Sequence, residues 1–253
     1  MSVAPKTFDA HMHIIDAAHP LVENNGYLPD EFTVADYRAR IDGLGVTGGA
    51  VVSGSFQAFD QGYLIDALDE LGPSYVGVTQ IPVDTDDARI RALHDAGFRA
   101  VRFNVARGGS ADLDDLELLA RRVHALAGWH AEFYIDAATV DDDLAERIAG
   151  LPAASIDHLG MRAEGLPRLL RLVERGVKVK ATGFGQIELD PAAAIAAILA
   201  VDPTALMVGT DLPSTRARRP FRDDDFDRIA QAVGSGHLDD VFWNNAAAFY
   251  LGE

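Results

Sequence analysis

Apolar and polar positions alternate between two textures along the chain. Short runs rich in Val, Ile, Phe and Ala cover residues 8–14, 49–54, 75–81, 100–105, 131–136, 154–158, 177–182 and 206–209. Several are apolar without alternation (GGAVVSG, YVGVTQI, LMVGTD), as expected of parallel strands covered on both faces. Between them lie segments with helix punctuation. Thr33 with Asp36 forms a capping-box pattern before YRARIDGLG, and Asp84/Thr85 opens DDARIRALHDAG, which Gly97 closes. Thr139 with Asp142 opens DDLAERIAG, and Asp190 followed by Pro191 starts AAAIAAILA. Eight strand–helix pairs with no low-complexity linker predict an α/β fold: a (β/α)8 TIM-like barrel, one domain over residues 1–253. A doubly wound open sheet is the alternative, although GxGxxG is missing after the first strand.

Composition narrows the function. The chain of 253 residues has 22 basic and 39 acidic residues, a formal charge of −17, and no cysteine. Disulfides, thiolate metal sites, iron–sulfur clusters and cysteine nucleophiles are excluded together. The acidic balance opposes general binding to nucleic acid or anionic membrane. No apolar core of a secretory signal stands in MSVAPKTFDAH, and the longest apolar run, residues 191–201, is too short to span a bilayer. A cytoplasmic protein is expected, without nucleic-acid or membrane partners, and with a homo-oligomer possible. The clusters Asp112/Asp114/Asp115, Asp141–Asp143 and Asp223–Asp225 lie near helix starts, where they favour the helix dipole.

In a βα barrel the chemistry sits at the C-terminal ends of the strands. Those ends carry His11 and His13, Ser53, Arg102 and Asn104 with Arg107 beyond, Tyr134 and Asp136, Asp157 and His158 with Arg162 beyond, Lys180 and Thr182, and Asp211. His11 and His13, two residues apart on a strand, present both imidazoles on one face. Such a pair suits either a divalent metal or joint polarisation of a carbonyl. His94, His124 and His130 fall in helix patterns or at a strand's far end, and His19 and His237 in loops. Lys180 reads as a packing or ion-pair residue, and VSGSF does not match a serine-hydrolase elbow.

The motifs FDAHMH, IDHLG, VKATGF and LMVGTDLP, in this order and followed by WNNAAAFY, resemble the amidohydrolase superfamily. The branch resembled contains 2-pyrone-4,6-dicarboxylate lactonase and related lactonases and decarboxylases, and the likeness covers nearly the whole chain. It implies a distorted barrel, a hydrolytic water and Asp211 as the base. Metal-binding members take ligands from HxH on the first strand, histidines on the fifth and sixth, and the eighth-strand aspartate. Tyr134 stands where the fifth-strand histidine would be, which favours a reaction with no cofactor. In it His11, His13 and His158 polarise the carbonyl of a lactone and Asp211 activates water. The alternative is a lactonase or decarboxylase with one Zn or Mn ion on His11, His13, His158 and Asp211. A barrel that only binds a small acid is a third possibility.

The expected partner is a small anionic lactone. Arg102, Arg107 and Arg162 are candidate carboxylate anchors, since a guanidinium grips a carboxylate with two parallel donors. Ser53, Tyr27 and Tyr134 resemble the family's polar substrate contacts. Gln186 stands where a further basic contact is expected, and Arg216, Arg218 and Arg219 either compensate from another loop or form a solvated basic run.

Overall fold

The eight apolar runs become eight parallel strands in a computed structural model that describes residues 5–253. They are β1 (Thr7–Met12), β2 (Val46–Val52), β3 (Tyr75–Thr79), β4 (Phe98–Phe103), β5 (His130–Phe133), β6 (Ala154–Ile156), β7 (Lys178–Ala181) and β8 (Leu206–Val208). They pair in sequence order from β1 to β8, and the helices between them form the outer ring of a (β/α)8 barrel. The ring comprises α1 (Val34–Ile41), α2 (Gly62–Leu71), α3 (Asp87–Asp95), α4 (Leu116–Ala127), α5 (Asp142–Ala149), α6 (Leu166–Glu174), α7 (Pro191–Val201) and α8 (Asp223–Val233); α9 (Asn245–Leu251) follows.

Local chemistry explains where the helices begin. Thr33 and Asp36 make the expected capping box, and Asp190 caps α7 with Pro191 in its first turn. Two starts differ by a few residues. Asp86 rather than Asp84 or Thr85 caps α3, because the Thr85 hydroxyl is spent on the Pro82 carbonyl. Asp141 rather than Thr139 caps α5, because Thr139 donates to the Asp136 carbonyl.

Between sheet and helices lies the main apolar layer, with Trp129, Phe98, Phe103 and Phe133 fully buried. Inside the barrel, alternate residues of β1 to β4 (Phe8, Ala10, Ala50, Val52, Val76, Val78, Ala100) pack with Met207, and Tyr250 from α9 joins them. The inward positions of β5 to β7 are instead Glu132, Ser155 and Lys180, all with no solvent exposure.

β1 and β8 close the barrel through a few bonds rather than a regular ladder. The Asp211 amide donates to the His11 carbonyl and the His13 amide to the Leu212 carbonyl, each at 2.7 Å. One turn lower, buried Asp9 accepts from the Thr210 amide at 2.8 Å and hydroxyl at 2.6 Å. Gly209 allows this approach, since a Cβ there would lie 2.7 Å from the His11 nitrogen. Among the described residues no helix is long and apolar enough to cross a membrane. The signal-peptide expectation rests partly on residues 1–4, which lie outside the described residues.

Candidate active site

Parallel strands place all their C-terminal ends on one face, so the polar residues picked out there converge. His11 is inside β1, and His13 follows it after the strand has ended. His158 and Asp211 lie just beyond β6 and β8 in left-handed backbone, φ 53° and 59°. Such conformations cost non-glycine residues about 1–2 kcal/mol and cluster at functional sites. Gly183 gives the His158 ring its space: a Cβ there would lie 2.5 Å from Nδ1.

The centre is the Asp211 Oδ1 atom. The Nε2 atoms of His11, His13 and His158 surround it at 3.6, 3.7 and 4.0 Å, and all four residues are buried. The far nitrogens of His13 and His158 are hydrogen-bonded, whereas that of His11 only faces a carboxylate. His13 Nδ1 lies 2.6 Å from the Val52 carbonyl, which can only accept, so Nδ1 carries a proton. His158 Nδ1 meets the Thr182 hydroxyl at 2.7 Å, and His11 Nδ1 lies 3.3 Å from Asp157 Oδ1. Neither ring nitrogen of His11 completes a hydrogen bond within the protein. Burial lowers the His11 pKa to about 3 and also lowers that of His158, so both rings are neutral at pH 7. Burial pushes Asp211 up, but the imidazoles, His158 foremost, hold it below the usual carboxylate range. The Asp211 carboxyl is therefore ionised at pH 7.

Beneath this centre lies a cluster of buried charges. Asp157 accepts from Arg102 at 2.9 Å and lies 3.4 Å from Lys180 Nζ. Lys180 also bonds Glu132, which pairs with His130 at 2.9 Å and accepts from the Tyr250 hydroxyl. Burial would raise both acids, but Lys180 first, then His11 and Arg102 for Asp157 and His130 for Glu132, reverses this. Asp157 ends well below the ordinary range and Glu132 at about 2. Lys180 is an ion-pair residue, as expected.

The substrate candidates divide. Tyr134, Arg102 and Arg107 line the inner pocket with His13, His158 and Asp211. Arg102, however, is committed to Asp157 and to the Ser53 carbonyl at 2.6 Å, leaving only Nε without a partner. The Ser53 hydroxyl turns away to Tyr63 at 2.7 Å, and Ser55 faces the pocket instead. Arg162 lines the outer cavity rather than the inner pocket, between Asp136 at 3.3 Å and Glu188 at 3.6 Å. Tyr27 stacks under the Arg216 guanidinium at 4.3 Å. Gln186 reaches the centre: its amide nitrogen donates to Asp211 Oδ2 at 2.8 Å and lies 3.2 Å from His158 Nε2, and its oxygen accepts from Tyr134 at 3.1 Å. The inner chamber of about 30 Å³ shares Arg107, Gln186 and Arg216 with a neighbouring cavity of about 480 Å³ lined by the strand-end loops.

The donor set also fits a metal. Three imidazole nitrogens and one carboxylate oxygen suit Zn or Mn, and histidines whose other nitrogen faces a carbonyl or carboxylate are typical of metal ligands. The unsatisfied His11 Nε2 marks where a cation, a water or a substrate oxygen completes the site. His11, His13 and Asp211 offer one ligand atom each within 4.8 Å of one another, while His158 groups instead with His11 and Asp157, so only three of the four donors are gathered closely.

A barrel with a histidine–aspartate centre at the mouth of its strands defines a class of hydrolytic scaffolds. The chain belongs to the amidohydrolase family, whose profile matches residues 8–251. It is 31% identical over 157 residues to a 2-pyrone-4,6-dicarboxylate hydrolase of Comamonas testosteroni, a match covering 60% of this chain and 51% of that one. The chain thus aligns to about half the length of that relative. It is 25% identical over 240 residues to a D-galactarolactone isomerase of Agrobacterium fabrum, covering 88% and 82%. A crystal structure from Agrobacterium tumefaciens superposes with a TM-score of 0.84 at 20% identity, covering 99% and 97%, and shares the fold.

Proposed function

We propose that this protein hydrolyses a lactone bearing a carboxylate, in a cytoplasmic setting and without a metal, with Asp211 as general base. The observation that carries the reading is the buried, ionised Asp211 oxygen ringed by three imidazole nitrogens at the foot of an arginine-bearing pocket. Asp211 takes a proton from water as the water oxygen bonds to the lactone carbonyl carbon. It then passes that proton to the ring oxygen as the C–O bond breaks, leaving one ring-opened molecule with a hydroxyl (or enol) at one end and a carboxylic acid at the other, whose remaining water-derived proton goes to solvent. The histidines surround the oxygen that gains negative charge. His158 donates from Nε2 when Thr182 donates to its Nδ1, a tautomer available once substrate displaces Gln186. Because His13 Nδ1 already donates to Val52, its Nε2 donates only as imidazolium, with Asp211 at 3.7 Å compensating the charge. Losing one such donor typically lowers the rate by about 10²–10³. Gln186 supports the metal-free reading, since its amide NH2, a donor and not a ligand, sits between two of the four would-be ligands.

A second reading is favoured by the unsatisfied His11 Nε2: one divalent ion held by His11, His13, His158 and Asp211. When bound it would supply Lewis-acid polarisation of the carbonyl. The base and the arginines would serve either way.

Purified protein, prepared without chelators, should open carboxylated lactones and incorporate one oxygen-18 atom from labelled water. Metal content is measured on the same sample. Turnover with far less than one metal per chain, unaffected by chelator, is expected. Stoichiometric Zn or Mn essential for turnover would reject the metal-free proposal. Lactone interconversion without label would assign isomerase chemistry instead, and tight acid binding without turnover would assign a binding barrel.

A further inference from the structure

The arginines at the mouth are not equivalent. Arg102 is neutralised by Asp157, Arg162 by Asp136 and Glu188, Arg218 by Glu188, and Arg219 by Asp225. Arg107 and Arg216 alone among the cavity-lining arginines have no carboxylate within 4.0 Å in the described residues. Both line the inner chamber and the outer cavity, and Arg107 Nε is buried without a partner. Two uncompensated cations at one opening of a chain with charge −17 call for an anion.

Their placement is built. Arg216 has left-handed backbone, φ 61°, and donates to the Asn24 carbonyl and to Asn24 Oδ1, while its guanidinium lies over the Tyr27 ring. Asn24 in turn donates from Nδ2 to the Arg107 carbonyl at 3.3 Å and accepts from the Ser55 hydroxyl at 3.1 Å. One asparagine thus ties both arginine-bearing loops together. Burial and the nearby Arg107 charge both lower the Arg216 pKa, so an anion between them relieves a standing repulsion.

We propose that Arg107 and Arg216 form the seat of the substrate's carboxylate, with Arg216 supplying from the loop after β8 the cation that Gln186 does not provide after β7. The ligand class is a small organic acid whose carboxylate lies between the two guanidiniums while its reacting carbonyl faces Asp211. That the acid is a lactone rests on the proposed function; the seat rests on the arginines.

The test uses isophthalate, a flat ring diacid that cannot be hydrolysed, and its neutral counterpart isophthalamide, titrated calorimetrically into the full chain. Arg216→Asn, which keeps a residue type tolerant of left-handed backbone, should weaken isophthalate at least tenfold and leave isophthalamide unchanged. Arg216→Lys should lie between, because the charge remains and the two-pronged geometry does not. Arg218→Gln should stay within twofold of wild type. With a carboxylated lactone, Arg216→Asn should raise KM at least tenfold and leave kcat within threefold. Isophthalate failing to bind wild type, binding Arg216→Asn within twofold of wild type, or losing affinity in parallel with isophthalamide would overturn the proposal. Arg216-dependent isophthalate binding with no lactone opened would uphold the seat and reject the hydrolase.

Discussion

Replacing Asp157 by Asn separates stability from catalysis. In the native protein its carboxylate faces Arg102 at 2.9 Å, His11 at 3.3 Å and Lys180 at 3.4 Å, all without solvent. Arg102 and Lys180 balance Asp157 and Glu132, so the buried cluster is neutral; the substitution leaves it with one uncompensated positive charge. Breaking a buried ion pair on one side costs about 3–5 kcal/mol. For a domain of this size that lowers Tm by roughly 6–20 °C. The same change takes the anion away from His11 Nδ1, which frees the ring to adopt the other tautomer. Loss of such an orienting partner usually lowers activity by about 10–100-fold. Adding Arg102→Met to Asp157→Asn removes the excess charge while leaving Lys180 paired with Glu132, and should recover more than half of the lost Tm. It should recover none of the activity, because His11 still lacks its carboxylate. Thermal melts and kcat/KM on the two variants decide the matter. An Asp157→Asn protein melting within about 2 °C of wild type, or a double variant that regains activity with stability, would refute this account of the cluster.

Other expectations follow from the same geometry. Asp211→Asn should reduce kcat by about 10³ with KM and Tm nearly unchanged, measured by steady-state kinetics and melting; near-normal kcat would remove Asp211 as base. Because Asp211 is held below the usual carboxylate range, the acid limb of kcat/KM should fall below about pH 4. A limb near pH 6–7 would mean that an imidazole proton, not Asp211, controls the rate. Glu132 titrates at about 2 instead of its ordinary 4.5, so its contribution is complete above pH 4.5 and is lost as pH falls through about 2. Tm should drop across that window by more in wild type than in a Glu132→Gln/Lys180→Met protein.

Sequence reasoning reached the barrel because parallel strands buried on both faces leave continuous apolar runs. It reached His11, His13, His158 and Asp211 because one topological rule puts every strand end on one face. Arg102 shows the limit. Its place at a strand end was visible, but its partner Asp157 lies 55 residues away, and no local pattern links them. The same holds for Glu132 with Lys180, separated by 48 residues, and for Asn24 reaching Arg216 across 192. Ser53 and Ser55 differ by two positions, and the end of β2 turns the first toward Tyr63 and the second toward the pocket. Gln186 stood out only as a missing charge. Its bridging of Asp211, His158 and Tyr134 depends on side-chain reach, which spacing does not encode.

The seam joining β1 to β8 has a consequence for synthesis. His11 and Asp211, its two sides, are 200 residues apart in the chain, and the bonds that close the cylinder are the ones that bring them together. A ribosome-bound chain that has released seven strands can already own most of its hydrophobic layer, yet its three imidazoles lack the Asp211 oxygen they come to surround. With Asp211 as the proposed base, turnover is the last property the molecule acquires, and a chain that ends before β8 cannot assemble the site.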